Sequence, residues 1–355
     1  MRLEAFSATT ILLAVLVIAG CQNDGGPAIS EKPAGPGLSR RPAEPKTSVE
    51  ATTPKASDGS TARAEGASVD LFPGYVPAKR KPEELTLTAH PVAVAPVIDG
   101  RGDDPVWKAA PAITTLDFSS QRPITIKSVF TSTNVFFLVT YTKDAPALTH
   151  KTWLWDAKER VYREGPDRED VFIFKWSMSG NDVRLELRDP EPHRADIWFW
   201  KAHRSNPAGY ADDKWQSVTT EPGRDARKMD AAKRPGLFFR REGDAGTSPF
   251  DEKFFFEYQG DRVEKYVSRQ PQGSRADVRA KGVWAQGQWT IEFARKLQTG
   301  HDDDVGFARG GVYLFGVSLY EMAYGTPSAE LSQPLYRTGD VFDRLLFTIP
   351  GSAGK

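Results

Sequence analysis

The sequence is poor in the residues that usually hold cofactors and brace small exported domains. It contains one cysteine, Cys21, and only five histidines and four methionines among 355 residues. A single cysteine excludes an internal disulfide, a c-type haem attached through C-x-x-C-H, and thiolate-bound zinc or iron–sulfur clusters. The formal net charge is zero, which excludes the basic field typical of nucleic-acid-binding proteins. Any cofactor must therefore be bound without cysteine.

Apolar runs are also short. The run over residues 10–19 is shorter than the roughly 20 residues that span a membrane. It ends in Ile18-Ala19-Gly20-Cys21, which is typical of a bacterial lipoprotein signal. We predict a signal peptide over residues 1–20 and a lipid on Cys21 that anchors the chain in the cell envelope. An ordinary signal peptide with an incidental cysteine is the alternative. Gln22, which stands where an aspartate would favour the inner membrane, favours the outer membrane, facing the periplasm or the cell surface.

Composition divides the rest of the chain in two. Residues 21–84 are rich in proline, glycine, serine and alanine and nearly lack aromatic side chains, which predicts a disordered tether. Residues 85–350 are long enough to bury one sizeable core, so we predict one domain there.

This domain carries short aromatic or β-branched runs separated by Gly, Pro, Asn and Asp, a pattern that predicts an all-β, antiparallel sandwich. The predicted strands are 86–94, 124–130, 135–141, 171–176, 183–188, 196–201, 236–239, 253–258, 282–285, 288–293, 312–319 and 345–349. Residues 160–170 and 216–235 are predicted loops. A short helical turn is predicted over 105–110, capped by Asp103 or Asp104. Gln286-Gly287 is predicted to turn a hairpin.

The segment 195–215 is the most distinctive. Within its predicted strand, Trp198 and Trp200 share one face, while Phe199 and Lys201 share the other. The turn-rich residues 205–213 follow. Two adjacent indoles make either a plug in the core or a flat platform for a ligand.

These residues carry a family resemblance. Asp196, the Trp-x-Trp-Lys-Ala block at 198–202 and the Gly-Tyr-Ala-Asp-Asp loop at 209–213 resemble the haem-binding domain of the gamma subunits of ethylbenzene and dimethyl-sulfide dehydrogenases. The segments 97–107, 124–144 and 289–319 resemble the opening, middle and closing strands of that family, and the first of them also resembles family 9 carbohydrate-binding modules. The resemblance implies a β-sandwich that binds b-type haem without covalent attachment. It also implies electron transfer to or from a redox protein, with no catalysis by the domain itself.

The resemblance implies one axial ligand in the segment before Trp198 and a second near the C-terminus. The first segment offers Met178 and His193, and the second offers Met322. The alternatives are core packing for both methionines and a surface position for His193. Trp198 and Trp200 would wall the haem pocket. Lys201 would pair with a propionate, or else be a solvated lysine.

Two other functions stay open. The first is a binding module without redox chemistry, in which tryptophans stack on a carbohydrate or another flat ligand. Five tryptophans are candidates: Trp153, Trp155, Trp198, Trp200 and Trp215. The second is a structural envelope lipoprotein with no small ligand.

Other chemistry has little support in the sequence. The aspartates at 99, 103, 104 and 302–304 lack the spacing of a calcium loop, so we predict turn and cap roles for them and no metal beyond haem iron. No G-x-S-x-G, H-E-x-x-H or phosphate-binding glycine loop is present. The protein is therefore predicted not to be an enzyme, although it could be the electron-transfer subunit of one.

Overall fold

A computed structural model describes residues 80–118, 120–187, 189–229, 236–322, 336–338 and 341–351, with only the backbone described at 321–322 and 336–338. The predicted signal peptide, Cys21 and nearly all of the predicted tether lie outside these ranges, so those assignments stay predictions. None of the helices in the described ranges is long and apolar enough to cross a membrane.

The domain is built almost entirely from strands, which confirms the predicted all-β fold. The strands are β1 (Glu84–Thr88), β2 (His90–Pro91), β3 (Ala112–Leu116), β4 (Pro123–Phe130), β5 (Asn134–Thr142), β6 (Trp153–Asp156), β7 (Val161–Glu164), β8 (Val171–Ser177), β9 (His193–Lys201), β10 (Asp212–Thr219), β11 (Arg227–Lys228), β12 (Phe238–Gly243), β13 (Phe250–Glu252), β14 (Arg262–Val263), β15 (Tyr266–Ser268), β16 (Arg279–Ala285), β17 (Gln288–Lys296), β18 (Val312–Met322), β19 (Tyr336–Thr338) and β20 (Arg344–Thr348). A short helix α1 (Val106–Ala109) and two 3₁₀ turns (Asn206–Ala208 and Ser274–Ala276) complete the fold.

Two sheets face each other. The larger sheet has the order β1-β20-β18-β8-β9-β10-β12-β11, with β19 on β18, and the smaller has the order β16-β17-β5-β4-β2, with β3 on β4. Neighbouring strands are antiparallel except for the pairs β1–β20 and β2–β4, which are parallel. Two further small sheets, β14-β6-β7 and β13-β15, lie outside this sandwich.

Alternating side chains of the two sheets make the main core. On β8, Phe172, Phe174 and Trp176 face the smaller sheet, whose Phe137 and Phe293 meet them. The rings pack mostly tilted or edge-to-face, the arrangement that aromatic quadrupoles favour. We call this side of the larger sheet its inner face and the opposite side its outer face.

The outer face is covered by a segment of the chain. Leu185 packs with Val171, Ile173, Ile197 and Leu314 in a second, smaller cluster. Residues 183–188 were predicted to form a strand. Over the described residues 183–187 that prediction is wrong, because their apolar side chains cover the sheet without joining its hydrogen-bond ladder.

The structure also tests the predicted hairpin, one more predicted strand, a predicted loop and the predicted helix. The hairpin β16–β17 is confirmed, with Gln286 and Gly287 both at positive φ (51° and 78°), as a two-residue hairpin turn requires. The strand predicted at 253–258 is wrong, because that segment has no ladder partner. Residues 212–219 were predicted to be mostly loop but form β10. Helix α1 is confirmed without its predicted cap, because the Asp104 carboxylate instead accepts a bond from Val97 N–H (3.0 Å).

Candidate functional site

The two indoles of the Trp-x-Trp block lie in the main core. Trp198 and Trp200 are both 0% exposed. Trp198 contacts Phe137, Phe174 and Trp176, while Trp200 meets Trp289 edge-on at 5.0 Å. Of the two alternatives, the structure therefore has the core plug, and it corrects the expectation that these rings form a platform or pocket wall.

Neighbouring residues provide Trp200 with a hydrogen-bond acceptor for its indole N–H and with room for its ring. Its Nε1–H donates to Asn206 Oδ1 (3.0 Å), and the same amide donates from Nδ2 to the Gly282 carbonyl (3.0 Å). A Cβ at Gly282 would lie 2.4 Å from the indole Cζ2, so only glycine fits there. The turn after β9 thus holds this ring in the core.

The predicted axial ligands do not meet. Met178 packs against the main core on the inner side, whereas His193 shares the outer face with Ala195 and Ile197. His193 is buried, not on the surface. Its Nδ1 lies 2.8 Å from the Glu191 carbonyl, which can only accept, so Nδ1 carries the proton and Nε2 accepts from Gln216 Nε2 (3.0 Å). Both ring nitrogens are therefore engaged.

Met322 is the remaining predicted ligand. It ends β18 next to β19, but its side chain lies outside the described part of the structure. Its role stays a prediction.

Lys201 is buried in a network of ions on the outer face, which corrects the expectation of a solvated lysine. Its ammonium pairs with Asp212, which also binds Lys214 (3.1 Å) and Arg275 (2.6 Å). Burial alone would raise the pKa of Asp212, but the three cations hold it well below its usual range. Lys201 also lies 4.7 Å from the rings of Phe199 and Phe250. These partners occupy it fully, so it is not positioned to bind a propionate.

A cavity of about 430 Å³ opens beside the outer face, a size typical of small-molecule sites. Lys175, 1% exposed, lies in its lining beside Gly316 of the next strand, which has no side chain to fill the space. The segment Val183–Glu186 covers one side. The other lining residues are Pro82, Phe118, Leu314, Phe315, Val317, Val341, Phe342, Asp343, Arg344 and Leu345. We call this space the outer cavity.

The sequence could not locate the outer cavity, because its lining comes from segments far apart in the chain. Lys175 lies within an aromatic strand, and Gly316 interrupts an apolar one. Glycine within a strand often marks a close approach by another group, which was the only signal available.

Aromatic side chains form a separate patch on the surface. Trp153 and Trp155 are half-buried on β6, where Trp153 meets Phe254 and Trp155 meets Tyr258 (5.3 Å between ring centres). Phe254 and Phe256 are 63% and 95% exposed. We call Trp153, Trp155, Phe254, Phe256 and Tyr258 the aromatic patch.

Among the described residues, Trp215, the fifth candidate tryptophan, has two cations beside its ring, whereas Trp153 has one, Lys265 at 4.4 Å, and Trp155 has aromatic neighbours. Arg194 and Arg240 approach the Trp215 ring, with their guanidinium carbons 5.8 and 5.0 Å from the centroid. Such contacts stabilise the arginines. They also leave less of the ring open for a ligand.

Comparison with known proteins identifies the class. The sequence matches the family model described as ethylbenzene dehydrogenase over residues 104–330, which is more than half of the chain. The chain belongs to this family, which is linked to haem-binding subunits of oxidoreductases. No curated protein matches the chain.

Solved structures with a similar arrangement are carbohydrate-binding sandwiches. A family 9 carbohydrate-binding module from Caldicellulosiruptor kristjanssonii, in complex with cellotriose, is 9% identical, with 76% of this chain and 95% of that one covered and a TM-score of 0.35. A candidate carbohydrate-binding protein from Bacteroides uniformis is 8% identical, with 76% and 100% covered and a TM-score of 0.36.

Proposed function

We propose that this domain carries haem b in the outer cavity and exchanges single electrons with a protein partner. The observation that carries the proposal is the location of the cavity in a chain of this family. It lies between the segment before the Trp-x-Trp strand and the C-terminal strands β18 and β20. These are the two parts of the chain from which the resemblance implies that haem is held.

The chemistry of the cavity fits this group. Haem b is a flat, mostly apolar ring with two carboxylates, and the walls of the cavity are mainly aliphatic and aromatic. Arg184 and Arg344 lie in the lining and now pair with Asp189 and with Glu84, respectively. Both are partly exposed, so each guanidinium would exchange its carboxylate partner for a propionate. Among the described lining residues, Lys175 is the one that would offer iron a nitrogen, and its amine would have to leave its present partner to do so. Met322 stays a candidate ligand.

The residues would hold the group and control its surroundings. The bound iron would supply one-electron redox chemistry, while the buried walls would limit access of water and so influence the potential. Electron transfer needs no catalytic residue of this chain, so the protein would act as a non-catalytic partner of an oxidoreductase.

The test is an absorption spectrum of the full chain, purified in detergent with haem supplied. Gly316→Leu should fill the outer cavity, because a Cβ at this position already lies 3.9 Å from Leu185 Cβ. The matched control is Val312→Leu at an exposed end of the same strand. We expect a Soret band in the unchanged chain and in the control, and its loss in Gly316→Leu. Equal haem binding by both variants would rule out this cavity.

Lysine ligation is tested separately. Lys175→Leu should remove a nitrogen donor while preserving an apolar wall, so any bound haem should show a shifted Soret band and altered reduced α and β bands. Identical spectra would remove Lys175 from the set of ligands.

We also propose that Cys21 is lipidated and anchors the domain at the outer membrane, on the support of its sequence motif alone. A Cys21→Ser chain should move from the membrane fraction to the soluble periplasmic fraction. Retention in the membrane would contradict anchoring by this lipid.

A carbohydrate-binding role is the second candidate, favoured by the aromatic patch. Trp153 and Trp155 keep partly exposed rings on one strand, as stacking on a sugar requires. Glycan binding should quench tryptophan fluorescence and should be lost in Trp155→Ala but not in Trp215→Ala. An absence of response across a broad glycan panel would eliminate this role.

A further inference from the structure

Four aspartates converge on the inner side of the larger sheet. Asp213 on β10 pairs with Trp198, two residues from Asp196 on β9, so both carboxylates point to the inner face. Asp304 comes from the segment after β17, and one carboxylate oxygen from each of these three lies within 4.8 Å of the others. Asp244, in the segment after β12, interacts electrostatically with Asp196 and Asp304. We call these four residues the aspartate cluster.

The cluster is buried and short of hydrogen-bond donors. Its members are 0% (Asp196, Asp213), 3% (Asp244) and 7% (Asp304) exposed. Among the residues described, no donor has hydrogen-bond geometry at most of the carboxylate oxygens, although the Trp198 indole and the Thr299 hydroxyl interact with Asp196 and Asp304. These oxygens are Asp196 Oδ1, Asp213 Oδ2, and both oxygens of Asp244 and of Asp304. Buried polar atoms are almost always bonded, so a group of orphaned oxygens in one place implies an absent partner.

The cationic side chains near the cluster are too few to balance its carboxylates. Arg295 donates to Asp196 Oδ2 (2.5 Å) and lies 3.6 Å from Asp304 Oδ1. His301 lies 3.9 Å from Asp304 but bonds Asp277 at 2.5 Å. Within ion-pair distance in the described part of the chain, one guanidinium and one distant imidazole therefore face four carboxylates. Without a further cation, the cluster is electrostatically unfavourable.

We propose that the aspartate cluster binds one calcium ion. Carboxylate oxygens are hard donors, which suit calcium or magnesium and disfavour softer metals. Calcium accepts six to eight oxygens in irregular geometry, including bidentate carboxylates. The irregular group of three carboxylates from two strands and one connecting segment, with the Asp244 carboxylate interacting nearby, matches that demand better than the regular octahedron of magnesium. The ion would join β9 and β10 to the segments that follow β12 and β17.

The cluster also has an access route. An open surface groove is lined by Trp215, Ala245, His301 and Asp303, among others. Asp303 and Ala245 are the chain neighbours of Asp304 and Asp244, so the groove passes beside two members of the cluster. An ion could therefore bind and leave without unfolding of the sandwich.

The test measures metal content and thermal unfolding of the full chain. After treatment with chelator, millimolar Ca²⁺ should raise the unfolding midpoint by roughly 5–10 °C, as binding to the folded state alone requires. The chain purified without chelator should contain about one calcium by elemental analysis. Asp213→Asn should abolish both results, whereas Asp302→Asn, an exposed neighbour, should abolish neither.

A second measurement, the unfolding midpoint of Asp213→Asn in chelator, separates loss of the ion site from general damage to the fold. In chelator, Asp213→Asn should unfold at a higher temperature than the unchanged chain, because it removes a repelling charge. A lower midpoint in chelator, or no calcium-dependent shift in the unchanged chain, would overturn the proposal. Stabilisation by Mg²⁺ but not by Ca²⁺ would overturn the assignment of calcium. Haem absorbance plays no part in these readings, so the two proposals can fail independently.

Discussion

Asp212 and Asp213 are neighbours in sequence and equally buried, but their carboxylates lie in opposite electrostatic environments. Asp212 faces outward and meets Lys201, Lys214 and Arg275, which hold its pKa well below the usual range against the effect of burial. Asp213 faces inward, where burial and three other carboxylates raise its pKa well above that range. The alternation of the strand sends one carboxylate to a balanced network and the other to a cluster with excess negative charge.

The difference separates the two faces of the larger sheet by role. The outer face has its charges paired and holds the outer cavity, which is suited to an organic ligand. The inner face has a dense aromatic core and, at one end, carboxylates several of whose oxygens lack a hydrogen-bond donor among the described residues. We therefore assign the proposed redox function to the outer face and a stabilising ion to the inner face.

The largest expected loss of stability comes from disrupting the ion network around Asp212 on the outer face. Asp212→Asn would leave one buried and two half-buried cations without their shared partner and should lower the free energy of unfolding by about 3–5 kcal/mol. Urea unfolding with calcium present measures it. The control is Asp251→Asn, which removes an exposed pair with Arg269 and should cost at most about 1 kcal/mol. Equal losses in the two variants would contradict the account of the network.

The next effect concerns the inner cluster. Arg295→Met removes the guanidinium that bonds Asp196, and in chelator it should cost about 3 kcal/mol because it leaves buried carboxylates unpaired. Saturating Ca²⁺ should recover part of that loss, since the ion supplies positive charge to the same oxygens. If unfolding of this variant is indifferent to Ca²⁺, the cluster is not an ion site.

A smaller effect follows from pH on the outer side. His150 is buried beside Glu169 and near Arg204, Arg168, Lys201 and Lys151, and burial followed by these cations holds its pKa far below the usual 6.5. Folded His150 stays neutral while the unfolded residue takes up a proton. Stability should therefore be complete above pH 6.5 and fall below it, by about 1.4 kcal/mol per pH unit from this residue.

The matched variant is His150→Gln, whose unfolding free energy should fall less steeply below pH 6.5. The comparison is the difference between the two pH curves, so that other titrating groups cancel. Parallel curves would show that folding does not change the pKa of His150, which would contradict its burial as a neutral group.

The sequence allowed prediction of elements whose pattern is local. Strands such as β5 and β9 follow from short runs of aromatic and β-branched residues, and the β16–β17 turn follows from Gln286-Gly287. The strand β10 was missed because Asp212-Asp213-Lys214 looks like a turn, although tertiary partners bury these charges. The opposite error occurred at 183–188, where apolar residues cover a sheet without joining it.

The sites were harder to predict because tertiary packing, and not the local sequence pattern, assembles them. Asp196, Asp213, Asp244 and Asp304 have no motif spacing, since the packing of separate strands brings them together. The Trp-x-Trp block indicated the family correctly. Its prominence also suggested a ligand surface, whereas the indoles fill the core. A distinctive motif can therefore identify a fold without marking its binding site.

The most direct test of this division between the faces is the absorption spectrum of the full chain with haem, recorded with calcium and again in chelator below the unfolding temperature. We predict a Soret band under both conditions. Gly316→Leu should lose this band, and the control Val312→Leu should keep it. A colourless folded chain, or a haem band unaffected by Gly316→Leu, would contradict the assignment of function to the outer cavity.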